Sequence, residues 1–131
     1  MAQTVKFLTR EWVDLVRTSV VGRDVRGAAH STSVQIVVNG APDGETTWHA
    51  RVDHEKVDAE LGPAADADIV LTVTYADAVA IVQGALEPSV AFMQGRMKTA
   101  GDSGQLLDLL AATSSSAFRD ARARIAATTE V

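Results

Sequence analysis

The hydrophobic period along the chain changes from about 3.6 to two and back again, and the changes divide the sequence into elements. In "TREWVDLVRTSVV", residues 9–21, Trp12, Leu15, Val16, Ser19 and Val20 fall at i, i+3, i+4, i+7 and i+8, one face of a helix. Thr9 suits the N-cap and Gly22 the stop. The period then becomes two. Val34, Ile36 and Val38 share one face of a strand in "SVQIVVNG", and Trp48, Ala50 and Val52 share one in "TTWHARVD". The turn formers "NGAPDG" between them predict a hairpin. "KVDAEL" alternates Val57, Ala59 and Leu61 with Lys56, Asp58 and Glu60, the pattern of a charged edge strand. "DIVLTVT" is apolar enough on both faces for an interior strand.

Helical spacing returns at "YADAVAIVQ", with Thr74 and Asp77 as a capping-box variant and Gly84 as the closing residue. Pro88 opens a short helix over 88–93, and residues 96–100 read as a strand. Asp102 with Gln105 caps a helix bearing Leu106, Leu107, Leu109 and Leu110. "TSSS" interrupts it. A last helix over 116–127 turns Phe118, Ala121 and Ile125 inward and Arg119, Arg122 and Arg124 outward. This order predicts an α+β fold with a mostly antiparallel sheet and helices on one face.

Composition narrows the function classes. The chain's 131 residues are the size of one domain, expected over 1–131, and 47% are hydrophobic. There is no cysteine, which excludes disulfides, thiolate metal sites and a cysteine nucleophile. The net charge of -5 argues against nucleic acid as a partner. No apolar run reaches membrane-spanning or signal-peptide length, and the C-terminus carries no lipidation or organelle address, so a cytoplasmic protein is expected. Nine Arg against three Lys, with abundant Ala, suggest a high-GC bacterial genome.

Candidate chemistry is sparse. His49 and Asp53 lie on one strand face ahead of "DHE", yet no third ligand recurs at metal spacing, and polar residues are usual at a strand end. His30 stands beside Ser31 and Ser33, but a catalytic dyad is a spatial arrangement, not a sequence neighbourhood. "GDSGQ" misplaces the second glycine of a nucleophile elbow and reads better as a capped helix start. No glycine-rich phosphate loop is present, and no cofactor or metal is expected. What remains is a set of amphipathic helices whose apolar faces either fill a core or line a pocket.

Residues 66–110 bear on that choice. Ala67-Asp68 precede an alternating strand and a helix; Gly84, Leu86 and Pro88 follow. Then come "AFMQGRMK" (residues 91–98), Gly101-Asp102, and a Leu-rich helix. In order and spacing this resembles the sterol carrier protein type two family. The family's Leu-rich helix often begins with Met where this chain has Ser103, and the peroxisomal tripeptide of eukaryotic members is absent. The resemblance implies a five-stranded sheet with helices on one side and an apolar tunnel between them. It implies non-enzymatic binding and transfer of sterols, fatty acids or fatty acyl-CoA. Trp48, Phe92, Met93, Gln94, Met97, Leu106, Leu109, Leu110 and Phe118 are then the expected ligand-binding residues, with Gln94 the main polar contact and Arg96 and Lys98 on the solvated face of the strand. Two other readings stand beside it: an accessory domain assisting a lipid- or sterol-metabolising enzyme, and a small enzyme using His49 and Asp53. Location discriminates the last, because a His49 on the outer sheet face has no catalytic pocket.

Overall fold

The computed structural model describes residues 4–19, 32–42, 44–53, 56–113 and 116–130. Of these, only the backbone is described at 19, 52, 53, 56, 57, 109, 111–113 and 116–118. The elements run β1 (Val5–Lys6), α1 (Arg10–Ser19), β2 (Thr32–Asn39), β3 (Thr46–Asp53), β4 (Lys56–Leu61) and β5 (Ile69–Thr74). They continue with α2 (Tyr75–Val82), α3 (Pro88–Met93), β6 (Lys98–Gly101), α4 (Ser103–Thr113), α5 (Ser116–Thr128) and β7 (Thr129–Glu130).

Five strands form one sheet in the order β4-β3-β2-β5-β6. Within it only the β2–β5 pair is parallel; the other three are antiparallel, with β2 and β3 forming the expected hairpin. β4 lies at the edge, as its alternating charges require. Register places Thr32, Val34 and Ile36 beside Val52, Ala50 and Trp48, and Val34 beside Ile69. These positions share the face that the helices cover. Val34, Val38, Ile69, Leu71 and Val73 are buried there, in one apolar cluster with Trp12 and Val13 of α1, Leu106 and Leu110 of α4, and Ala121 and Ile125 of α5. Each large aliphatic side chain so buried contributes roughly 1.5–3 kcal/mol.

Capping follows the sequence closely. Thr9 Oγ1 accepts from Trp12 N at 3.3 Å, Thr74 Oγ1 from Asp77 N at 3.2 Å, and Asp102 Oδ1 from Gln105 N at 3.0 Å. Gly22, the expected stop of α1, lies outside the described residues, as do Ser114 and Ser115. Gly84 and Gly95, at φ +81 and +71, end α2 and α3. Both ends carry the paired 6→1 and 5→2 bonds of a Schellman motif: Ala85 N to Ala80 O with Gly84 N to Ile81 O, and Arg96 N to Ala91 O with Gly95 N to Phe92 O.

Two expectations are corrected. The strand after α3 is Lys98–Gly101 rather than 96–100, because the Schellman turn occupies Gly95 and Arg96. Phe92 and Met93 end α3, whose span matches the helix expected over 88–93. Arg122, expected outward, has a side chain only 13% exposed, and it donates from Nη1 to Glu87 Oε2 at 3.2 Å. A two-residue parallel pairing of β1 with β7 was not foreseen; strands this short carry no period. It joins the two ends of the described chain, and Trp12 Nε1 donates to Thr129 Oγ1 at 3.1 Å beside it.

Candidate functional site: the apolar layer between sheet and helices

The helix-facing side of the sheet is apolar because in-phase positions of β2, β3 and β5 are apolar in sequence. Trp48 projects from this side, half-buried against the cluster, with its ring 5.2 Å from that of Trp12 and nearly perpendicular to it (89°). Phe92 is also half-buried against the cluster, and Met97, Leu106 and Leu110 are buried. Five of the nine expected ligand-binding residues therefore meet on one layer. Leu109 and Phe118 belong to α4 and α5, and their side chains are outside the described part.

Met93 and Gln94 do not join the layer. Met93 is 77% exposed, and Gln94 is exposed at the C-cap of α3. The helix end explains both: Ala91, 0% exposed, takes the inward position, and the next turn swings residues 93–95 outward. The Gln94 amide oxygen accepts from Arg96 Nη1 at 3.3 Å, outside the layer.

The layer has another polar contact that sequence reasoning missed. Thr32, 4% exposed, donates from Oγ1 to Gln105 Oε1 at 3.0 Å, linking the start of β2 to the first turn of α4. Thr32 is in phase with Val34 and Ile36, which was the available signal. Gln105 read as part of a cap. Its backbone N–H takes that role, which leaves the side chain to turn inward.

His49 lies on the opposite, outer face. Its Nδ1–H donates to the Gly62 carbonyl at 2.8 Å, and Nε2 stands 4.0 Å from Glu60 Oε2. The β4–β5 crossover runs over this face, held also by Ala64 N to Gln35 Oε1 at 3.0 Å and Ser33 N to Asp68 Oδ2 at 2.9 Å. A groove of about 470 Å³ opens there, lined by Ser33, His49, Arg51, Asp58, Glu60 and Asp66 among others. His49 thus serves as a structural pin, not a base in an apolar pocket. His30, His54 and Glu55 lie outside the described residues.

These features define a class: an α+β domain with one sheet face reserved for an apolar layer under helices. The SCP-2 sterol transfer family model matches residues 21–113, and the chain belongs to that family, whose domains bind and transfer lipids. Hydroxysteroid dehydrogenase-like protein 2 of Xenopus laevis is 32% identical over 76 residues, 57% of this chain and 18% of that protein. Sterol carrier protein 2 of Gallus gallus is 30% identical over 73 residues, 55% of this chain and 13% of its own. The chain thus spans less than a fifth of the length of these curated relatives. The solution structure of a conserved protein from Thermus thermophilus superposes with TM-score 0.74 at 16% identity, covering 100% of this chain and 97% of that one, which establishes the fold. No helix among the described residues is long and apolar enough to cross a membrane.

Proposed function

We propose that the protein binds and transfers apolar small molecules (sterols, fatty acids or fatty acyl-CoA) in a tunnel between sheet and helices, without chemistry of its own. One observation carries the reading. The residues matched by the family model include both walls of the apolar layer, β2, β3 and β5 on one side and α4 on the other. The driving force is apolar burial, about 25 cal/mol per Å² removed from water. Trp48, Phe92, Met97, Leu106 and Leu110 form the contact set. The thioether of Met97 adapts to ligands of different outline. Trp48, half-buried at the layer's edge, is a natural reporter.

The test is native mass spectrometry of freshly purified protein, followed by titration with a fluorescent fatty acid and a fluorescent sterol while Trp emission is read. A retained lipid, or saturable binding with a change in Trp emission, supports the reading. If neither probe binds and no adduct is retained, lipid carriage is wrong.

A further inference from the structure

We infer that Thr32 and Gln105 form the polar anchor of the apolar layer, receiving the oxygen-bearing head of a neutral ligand, a hydroxyl or a carbonyl. This rests on the lipid-binding reading above.

Among the described residues, Thr32 is the single buried polar one. Burying a hydroxyl without a partner costs on the order of 1–3 kcal/mol, so its position inside an apolar face needs a reason. Its partner reaches across 73 residues of sequence and comes from the opposite wall of the layer. With Oε1 engaged by the Thr32 hydroxyl, the Gln105 amide keeps two Nε2 hydrogens to offer an incoming oxygen acceptor. The hydroxyl and the amide are both uncharged, and together they supply donors and acceptors. A ligand hydroxyl, itself donor and acceptor, matches such a pair.

Position supports the same role. Thr32 pairs with Val52 at one end of β2, and Ile36 pairs with Trp48 four residues further along the same face. At strand rise that separation is roughly 13 Å. Between them the face is apolar: Val34 and Ile36 on β2, Ala50 on β3, Ile69 and Leu71 on β5. Leu106 and Leu110 follow Gln105 on α4 and belong to the same buried cluster. A ligand lying along β2 would place its apolar body toward Trp48 and its head at Thr32 and Gln105. Gln94, exposed beyond the C-terminus of α3, cannot fill that position.

The experiment compares ligands that differ by a single hydroxyl. Wild type, Gln105→Met and Thr32→Val are loaded with a fluorescent sterol, then competed with cholestanol and with cholestane, which lacks the hydroxyl. Hexadecanol and hexadecane are compared in the same way against a fluorescent fatty acid. Wild type is expected to favour the alcohol about tenfold in at least one pair. Gln105→Met should bring that pair within about twofold while leaving the hydrocarbon's affinity unchanged. Thr32→Val, which releases Gln105 from its orienting partner, should lower the preference by a smaller factor. Thermal unfolding of each variant separates a lost anchor from a loosened fold. If the alcohol preference survives both substitutions, or alcohol and hydrocarbon weaken together, the anchor is disproved while lipid binding stands. If wild type binds none of the probes, the lipid-binding reading itself has failed, and the anchor with it.

Discussion

Arg96 reaches back from the turn after α3 to Asp77 in the first turn of α2, donating to the same carboxylate oxygen from Nε at 3.1 Å and Nη2 at 2.6 Å. The two residues are 19 apart in sequence, and the pair ties the turn after α3 to the start of α2. Asp77 also sits where the positive end of the α2 dipole favours an acid. Its side chain is 16% exposed and that of Arg96 43%, so solvent screens part of the attraction. Asp77→Asn is expected to cost about 1 kcal/mol in urea unfolding, with the difference shrinking in high salt. An unchanged midpoint at low salt would refute the clamp.

The glycines differ sharply in what replacement should do. At Gly101, φ +110, a Cβ would collide with the Asp68 carbonyl oxygen, just before Ile69, the β5 partner of Gly101. At Gly95, φ +71, the same Cβ meets open space. Gly95→Ala should cost about 1 kcal/mol, lowering Tm by about 3–5 °C, through backbone strain alone. Gly101→Ala should cost several times more, or abolish folding. Equal losses in differential scanning calorimetry would contradict this geometry.

Two methionines of the same motif should behave in opposite ways. Met93 is 77% exposed and Met97 8%. Met93→Lys is expected to change stability by less than about 0.5 kcal/mol and probe affinity by less than twofold. Met97→Lys would bury an unpaired ammonium and should unfold the protein or cost several kcal/mol. Chemical denaturation and probe titration on both variants decide the matter.

His49 separates structure from chemistry. His49→Ala removes the bond to Gly62 that holds the crossover, and about 1 kcal/mol of stability should go with it. Affinity for fatty-acid and sterol probes should stay within about twofold, because the ring lies on the face opposite the apolar layer. A large loss of affinity without a loss of stability would move the site to the outer face.

Most of the scaffold was legible in the residues themselves. Period-two runs placed β2, β3, β4 and β5, and the alternating charges of β4 placed it at the edge. Thr9, Thr74, Asp102 and Gly84 marked helix ends because capping is chemistry local to a few residues. The "AFMQGRMK" segment was also visible, but its interior was not. Whether Met93 or Met97 points inward depends on where α3 ends and how Gly95 turns the chain. One residue of shift at a helix end rotates a side chain by about 100°.

The sequence by itself determined the helices and the longer strands, most of their caps, the apolar face of the sheet and the family motif. All of these arise from interactions spanning a few residues or from periodicity. Tertiary structure alone decided the parallel register of β2 with β5, the inward turn of Arg122 onto Glu87, and the meeting of Thr32 with Gln105. Each joins groups far apart along the chain, and local propensity carries no information about which distant partner a polar side chain will find once the layers pack.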